Sequence, residues 1–268
     1  MLSMVETCYK VPSCPVSLAL VTDSHNGPAE PILECLHLRK PNLILLAGDF
    51  VYADPPVIPG RLKMQDSRNA MDLLRGCASI APTFVSLGNH EWMLNDADLS
   101  LITSCGVTVL DNCFVSVSVK DAEICCAGLS SARFTSYRSW RRKLQVSFLY
   151  PEPDRSVWAG RPEPEVVWLS DFERQDGYKI LLCHHPEYVF RFLQNRSIDL
   201  IVSGHAHGGQ WRYYSRRRRE WSGIYAPGQG LFPKLTEGMH GNHIISRGLS
   251  NNALIPRLNN PTELVFIN

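Results

Sequence analysis

The sequence predicts an α/β protein, a four-layer αββα sandwich with a metal site at the carboxyl ends of its strands. Short apolar runs alternate with helical patterns in the first half of the 268-residue chain, and strand patterns predominate in the second half. Polar side chains able to bind metal follow five of the apolar runs directly. Alternation of strands and helices is typical of parallel βαβ units.

The first half contains three predicted strands and three predicted helices, in alternation. The strands are buried apolar runs, and the helices have apolar residues at helical spacing on one side. The predicted strands are Val16–Thr22, Asn42–Ala47 and Thr83–Leu87, and the predicted helices are Pro28–Arg39, Gln65–Ile80 and Asp96–Cys105.

The second half is richer in strands. A β-hairpin is predicted from Phe114–Val119 and Glu123–Leu129, and one helix from Tyr188–Asn195. The other predicted strands are Lys179–Cys183, Leu200–Ser203, Gln210–Tyr214, Gly223–Ala226, His243–Ser246 and Glu263–Ile267. No internal repeat is found, and residues 1–268 are predicted to form a single domain. Residues 130–165 form a long irregular excursion, for which a lid or cap and a plain surface loop are equally supported.

Composition restricts the class of protein. Hydrophobic residues make up 44% and charged residues 20% of the chain, which excludes wholesale disorder. The net charge of +1 gives no global attraction to nucleic acid or membrane, so any charge effect is local. The nine cysteines contain no C-x-x-C pair and are expected to be reduced. Neither a signal peptide nor a membrane span is predicted, so a cytoplasmic location is expected. Peripheral contact with a membrane is left open, and the oligomeric state is not predicted.

Candidate functional residues collect where five of the predicted strands end. In open α/β sheets, ligands bind at this edge. Six of the nine histidines fall at these points. The five segments are Asp23-Ser24-His25, Gly48-Asp49, Gly88-Asn89-His90-Glu91, His184-His185 and Gly204-His205-Ala206-His207.

The residue types indicate two metal ions. Aspartate, histidine and asparagine without cysteine suit Mn²⁺, Fe or Zn²⁺. Seven or eight ligands exceed the four of a tetrahedral site, whereas two ions that share one carboxylate would use them all. Such pairs lie about 3.5–4 Å apart and promote in-line displacement at phosphorus.

Each segment taken singly has an ordinary structural interpretation. Asp23 suits a turn or a helix N-cap, Gly48-Asp49 is a common turn dipeptide, and Asn89 after a glycine is ordinary turn chemistry. The segment from Gly204 to Gly209 is more specific, because histidines two residues apart in extended backbone face the same way. The five segments together favour a metal centre.

These residues resemble the calcineurin-like metallophosphoesterase superfamily. Its ordered pattern is D-x-H, G-D, G-N-H-[ED], H and G-H-x-H, which this chain matches at 23–25, 48–49, 88–91, 184 and 204–207. The later segments GHAHGGQ and SRGLSNNALIPRLNNPTEL also resemble a bacterial branch of often membrane-anchored phosphohydrolases. That branch's N-terminal anchor is not expected here.

The resemblance implies a role for each residue. One metal would be held by Asp23, His25, Asp49 and His207, and the other by Asp49, Asn89, His184 and His205. His90 and Asn89 would contact the substrate phosphate, and His90 would protonate the leaving oxygen. A metal-bridging hydroxide would attack a small phosphate mono- or diester without a covalent enzyme intermediate.

The match departs from the family at two points. Many members have a carboxylate three residues after the G-D aspartate, where this chain has Tyr52. His184 is followed by a second histidine, and His184 is the expected ligand because it ends the strand directly, with His185 as a neighbour or supporting group.

Several other basic and histidine residues carry weaker indications. Arg216–Arg219 suits a solvated hairpin tip more than a contact with an anionic substrate or membrane surface. The cluster Arg141-Arg142-Lys143 likewise does not amount to a nucleic-acid module. His240 and His243 suit ordinary loop and strand positions better than the fringe of the site. Arg247 and Arg257 match the bacterial branch without an assignable role.

Two alternatives to a two-metal phosphoesterase predict different sequence features. A non-catalytic scaffold on the same fold predicts missing ligands, but the ligand set is complete and His90 is present. A metallo-β-lactamase type of zinc hydrolase requires an H-x-H-x-D-H run, which this sequence lacks.

Overall fold

The computed structural model describes residues 4–52, 62–131, 163–217, 219–250 and 256–268. The excursion predicted at 130–165 therefore lies almost entirely outside the described residues, as does the cluster at 141–143. In the described part of the chain, none of the helices has the length and apolar character that a membrane span requires.

The first large sheet has six strands, four of which run in one direction and two in the other. Its core is the parallel set β2, β3, β4 and β5, and the C-terminal strand β16 pairs antiparallel with β2 and parallel with β1. In sheet order the strands are β1 (Val5–Tyr9), β16 (Glu263–Ile267), β2 (Leu18–Val21), β3 (Leu43–Ala47), β4 (Thr83–Ser86) and β5 (Thr108–Leu110).

The second large sheet also has six strands, and its centre is parallel. Strands β7, β8, β9 and β15 are parallel, and an antiparallel strand closes each edge. In sheet order they are β14 (Gly238–His240), β15 (His243–Ile245), β9 (Leu200–Ser203), β8 (Tyr178–Cys183), β7 (Ala122–Leu129) and β6 (Cys113–Val119).

Helices and small hairpins complete the described fold. The α-helices are α1 (Glu30–Arg39), α2 (Arg68–Ile80), α3 (Asp96–Thr103) and α4 (Leu169–Glu173). Short 3-10 helices span Met64–Asp66, Glu91–Met93, Pro186–Phe190 and His207–Gly209. Two antiparallel pairs follow β9, formed by β10 (Arg212–Ser215) with β11 (Glu220–Gly223) and by β12 (Tyr225–Ala226) with β13 (Gly230–Leu231).

Three apolar clusters define four layers. The central cluster joins alternate residues of both sheets, such as Leu45 of β3 and Leu182 of β8, so the sheets pack face to face. The outer face of the first sheet is covered by α1, α2 and α3, and that of the second sheet by α4 and neighbouring segments. The predicted αββα sandwich is therefore confirmed.

One predicted helix is wrong. Instead of a helix over Tyr188–Asn195, the structure has a single 3-10 helix at Pro186–Phe190, followed by turns. Only Tyr188 and Leu193 are buried in the predicted range, a spacing of five that does not fit one helical face. Asn195 then has a φ of 59°, a left-handed conformation incompatible with a continuing helix.

Candidate metal centre

The predicted site residues lie together at one end of the sandwich. Asp23, Asp49 and Asn89 follow β2, β3 and β4 of the first sheet, and His184 and His205 follow β8 and β9 of the second. Because these strands are parallel within each sheet and the sheets are stacked, their carboxyl ends converge. The two sheets thus supply opposite walls of one centre.

The first group of potential ligands is Asp23, His25 and His207. The Nε2 atoms of His25 and His207 are 3.3 Å apart. The Oδ1 atom of Asp23 lies 3.4 Å from His207 Nε2 and 3.9 Å from His25 Nε2. Their ligand atoms lie within 4.8 Å of one another, which is close enough for one ion to contact all three.

The second group is Asp49, His184 and His205, with ligand atoms again within 4.8 Å. The shortest contact is 3.0 Å, between His184 Nε2 and Asp49 Oδ2. Asp49 also belongs to a group with His25 and His90, so its carboxylate connects the two sets of ligands. This arrangement suits two ions that share Asp49.

Asn89 provides an independent test of fit. Its Oδ1 atom is buried and makes no hydrogen bond to any described residue. A buried carbonyl oxygen without a partner is costly, and a hard or borderline cation would satisfy it. Together with the Asp and His groups, this oxygen fits a divalent metal.

The backbone at the centre is strained. Five of the seven predicted ligands have left-handed φ angles, a conformation that costs an L-residue about 1–2 kcal/mol. The values are 51° at Asp23, 44° at His25, 55° at Asp49, 64° at His205 and 48° at His207. Strain of this kind concentrates at functional sites, where the surrounding structure enforces it.

The two aspartates of the centre carry their charges in a buried environment. Asp23 and Asp49 are buried, which by itself raises the pKa of a carboxyl group. The neighbouring His207 and His184 nevertheless hold the pKa values of Asp23 and Asp49, respectively, well below the usual range. Burial would lower the pKa of His184, but Asp49 and Asp23 raise it to about 10. Two buried carboxylates need nearby positive charge, which a dication supplies.

His25 and His90 differ in their access to solvent. Burial lowers the pKa of His25 to about 3, so its ring is neutral, the form that binds metals. Burial also lowers the pKa of His90, against the opposing effect of Asp49. The His90 side chain is 21% exposed, whereas that of His25 is 3% exposed, and His90 Nε2 lies 3.9 Å from Asp49 Oδ2. His90 therefore stands at the outer side of the centre.

Glu91 organises the loops that carry the ligands, a role that sequence reasoning missed. Its buried carboxylate accepts hydrogen bonds from the backbone N–H groups of Asp49 at 2.9 Å, Gly88 at 2.7 Å and Val51 at 3.2 Å. Burial and the charge of Asp49 raise the pKa of Glu91 to about 8. The backbone N–H groups that donate to this carboxylate act in the opposite direction and lower the pKa. The motif contained Glu91, but a sequence does not reveal which backbone groups a carboxylate will meet.

The C-terminal segment supports His207. Asn260 Nδ2 donates to the His207 carbonyl oxygen at 2.6 Å, and Arg257 Nη2 lies 3.3 Å from His207 Nδ1. The Arg257 guanidinium also donates to the carbonyl oxygens of Ser250 and Arg247. Arg257, which had no assignable role from sequence, thus ties this segment to the turn that carries His207.

His240, His243 and Arg247, which the sequence also singled out, make ordinary structural contacts. Buried His243 in β15 has its Nε2 atom 2.7 Å from Ser203 Oγ, and exposed His240 contacts the Glu237 carbonyl oxygen. Arg247 forms ion pairs with Glu237 and Glu263 at 3.2 Å each.

The sandwich and the two groups of Asp and His side chains, connected through Asp49, define a protein suited to hold divalent metal ions at the edge of its sheets. Comparison with known families identifies which kind. A family model described as calcineurin-like phosphoesterase matches residues 16–209. The chain therefore belongs to the calcineurin-like phosphoesterases, a family of metal-dependent hydrolases of phosphoric esters.

Individual relatives are distant. Phosphodiesterase YaeI of Escherichia coli is 25% identical over 214 residues, which is 76% of this chain and 65% of that protein. A transmembrane protein with a metallophosphoesterase domain from Bos taurus is 26% identical over 212 residues, covering 73% of this chain and 41% of that protein. The chain thus spans less than two thirds of the length of these relatives.

Solved structures of similar fold include a dimetal phosphatase from Danio rerio. It has a TM-score of 0.48 and 13% sequence identity, and the match covers 87% of each chain.

Proposed function

We propose that this protein is a dinuclear-metal phosphoesterase that hydrolyses a phosphate monoester or diester by attack of an activated water. The observation that carries the proposal is the pair of ligand groups joined through Asp49, since two neighbouring ions need a shared anionic ligand. The chain's membership of the phosphoesterase family supports the reaction class.

In this proposal, seven side chains divide into two ligand sets. Asp23, His25 and His207 hold one ion with Asp49, and Asn89, His184 and His205 hold the other with the same Asp49. When bound, two dications would lower the pKa of the attacking water and neutralise charge on the phosphoryl oxygens. Mn²⁺, Fe and Zn²⁺ all suit these donors.

The chain's own groups would position the substrate and move a proton. His90 and Asn89 are proposed to contact the phosphate, and His90 to protonate the leaving oxygen. Its greater exposure than His25 supports this role, because the substrate must approach from solvent. Burial lowers the pKa of His90, and the nearby Asp49 carboxylate opposes that effect.

The first test is metal dependence. Protein stripped of metal should hydrolyse neither para-nitrophenyl phosphate nor its bis-ester, and Mn²⁺ should restore hydrolysis of at least one. Asp49→Asn should abolish hydrolysis, because the shared carboxylate loses its charge. It should also reduce the number of bound metal ions below two per chain. The exposed carboxylate of Asp72 on α2 provides the matched control Asp72→Asn, which should behave as the wild type.

The outcomes of that test separate the alternatives. Hydrolysis by Asp49→Asn at the wild-type rate would contradict the proposal. Two bound metals without turnover of either ester would favour the non-catalytic scaffold. The preferred ester would distinguish a phosphatase from a phosphodiesterase.

The second test concerns His90. General acid catalysis contributes about 10²–10⁴-fold, and it matters most when the leaving group is basic. His90→Asn should therefore slow hydrolysis of an alkyl phosphate ester far more than that of a nitrophenyl ester, while two metals remain bound. Equal slowing of both esters in steady-state assays would remove His90 from the role of proton donor.

A further inference from the structure

The hairpin of β10 and β11 exposes large aromatic side chains. Tyr214 and Trp221 are paired across the two strands, with ring centroids 5.7 Å apart, and they are 50% and 44% exposed. The Arg212 guanidinium lies over the Trp221 ring, 5.2 Å from its centroid. A cross-strand aromatic pair of this kind stabilises a two-stranded hairpin, and here it still leaves about half of each side chain in contact with solvent.

Exposed apolar side chains are concentrated around this hairpin. In the described part of the chain, ten large hydrophobic side chains are exposed, and six of them belong to residues 211–232. The six are Trp211, Tyr213, Tyr214, Trp221, Leu231 and Phe232. Leu258, 55% exposed, pairs with Trp211 through a backbone bridge and extends the set, which we call the aromatic patch. Because Tyr213 and Tyr214 are neighbours in one strand and point to opposite sides, both faces of the hairpin expose apolar side chains, a concentration typical of interaction surfaces.

The same segment carries a strong positive charge. Residues 211–234 include five arginines and one lysine against one glutamate, a formal charge of +5, whereas the whole chain carries +1. The rest of the chain is therefore net negative. Arg216, Arg217 and Arg219 lie exposed at the turn between the strands. The segment is thus both apolar and cationic.

The positive charge of Arg212 is not accessible to a partner. It is 8% exposed and forms an ion pair with Glu237, which also pairs with Arg247. These contacts fix the base of the hairpin and leave the arginines at its turn to interact with a partner.

We propose that the β10–β11 hairpin docks the protein onto an anionic phospholipid surface. The arginines at the turn would contact the headgroups, and the aromatic patch would enter the interfacial layer, where tryptophan and tyrosine are favoured. Leu231, Phe232 and Leu258 favour a lipid surface over nucleic acid, because nucleic acid offers no hydrocarbon region for such side chains.

Docking would bring the candidate metal centre near the membrane surface. The base of the hairpin packs on the turn that carries His207, since Ile224 N–H donates to the Gly209 carbonyl oxygen at 3.1 Å. A Cβ atom added to Gly209 would lie 2.3 Å from the Gly223 Cα atom, so the two backbones are in direct contact.

The experiment measures binding of the full chain to vesicles of phosphatidylcholine alone and of phosphatidylcholine mixed with phosphatidylglycerol. The wild type should co-sediment with the anionic vesicles and be released by high salt. Arg216→Glu with Arg217→Glu should weaken binding by about 30-fold or more, as expected from removal of two arginines. Trp221→Ser should also weaken binding, because it removes an interfacial anchor.

A matched control changes the charge by the same amount elsewhere. Arg68 and Arg75 on α2 are exposed, so Arg68→Glu with Arg75→Glu should retain binding within a factor of about 3, the effect of net charge alone. Equal loss in both double variants, or no vesicle binding by the wild type, would overturn the proposal. Tighter binding to a single-stranded oligonucleotide than to vesicles, through the same arginines, would identify a nucleic-acid surface instead. None of these readouts uses the hydrolytic activity.

Discussion

Two adjacent histidines at the end of β8 have different surroundings. His184 Nδ1 lies 2.8 Å from the Ala47 carbonyl oxygen, to which it donates when it carries the proton. That bond directs Nε2, the atom that would bind a metal, toward Asp49, as supporting carbonyl groups do in metal sites. His185 instead stacks on Tyr188, with Nδ1 3.1 Å from Glu187 Oε1.

These surroundings lead to a prediction at the level of single residues. His184→Ala should lower bound metal from two ions to one per chain and abolish hydrolysis, because it removes a direct ligand. His185→Ala should keep two ions but weaken metal affinity by about 10–100-fold, the usual cost of losing a supporting group. Metal analysis by mass spectrometry, with a titration of metal against activity, separates the two. A single ion in His185→Ala and two in His184→Ala would reverse the assignment.

The sequence identified the residues that converge at the centre, because each stands where an apolar run meets polar residues. It could not identify the groups that hold them in place. Glu91 and Asn260 act on backbone atoms that are remote in sequence, and such contacts exist only once both sheets are packed. Periodicity predicts which side chains are buried but not which buried groups meet.

At the level of elements, the fully buried strands were predictable, whereas only β6 of the four edge strands in the large sheets was predicted, as part of a hairpin. Strands β3 and β9 are buried along their whole length, which produces continuous apolar runs. Edge strand β1 alternates between half-buried and exposed residues, and β5 has three residues, so neither produces such a run. The pairing of β16 with β2 likewise joins opposite ends of the chain, which local sequence cannot predict.

The strand ends must approach the ligands closely, which makes their glycines sensitive. A Cβ atom at Gly204 would lie 2.3 Å from Asp23 Oδ2, so Gly204→Ala should displace that carboxylate and weaken metal binding at least about 10-fold. Gly241 is the control, since a Cβ atom there meets nothing within 4 Å although its φ is 64°. Gly241→Ala should cost about 1–2 kcal/mol of stability and leave metal affinity unchanged in calorimetric titrations. Wild-type metal affinity in Gly204→Ala would contradict this prediction, because it would show that metal binding does not require the Asp23 carboxylate at its observed position.

At the scale of the whole molecule, the candidate centre connects the two sheets. Asp23, Asp49 and Asn89 belong to the first sheet, and His184, His205 and His207 to the second, so bound ions would link the halves of the sandwich across their common core. The buried carboxylates and strained ligand backbones make this end of the fold costly without a cation. Ion binding should therefore stabilise the folded chain as a unit.

Metal removal should accordingly lower thermal stability. A ligand present at about 100 times its dissociation constant stabilises the folded state by about 2.7 kcal/mol. For a chain of this size, that corresponds to roughly 5–10 °C in Tm for each ion. Calorimetry with and without a chelator should show this difference in the wild type and in Asp72→Asn, but little of it in Asp49→Asn, which lacks the shared carboxylate. An identical Tm with and without metal, in protein shown to bind two ions, would contradict this prediction. It would mean that the unfolded chain binds the ions as tightly as the folded chain, so that the assembled centre contributes nothing to their affinity.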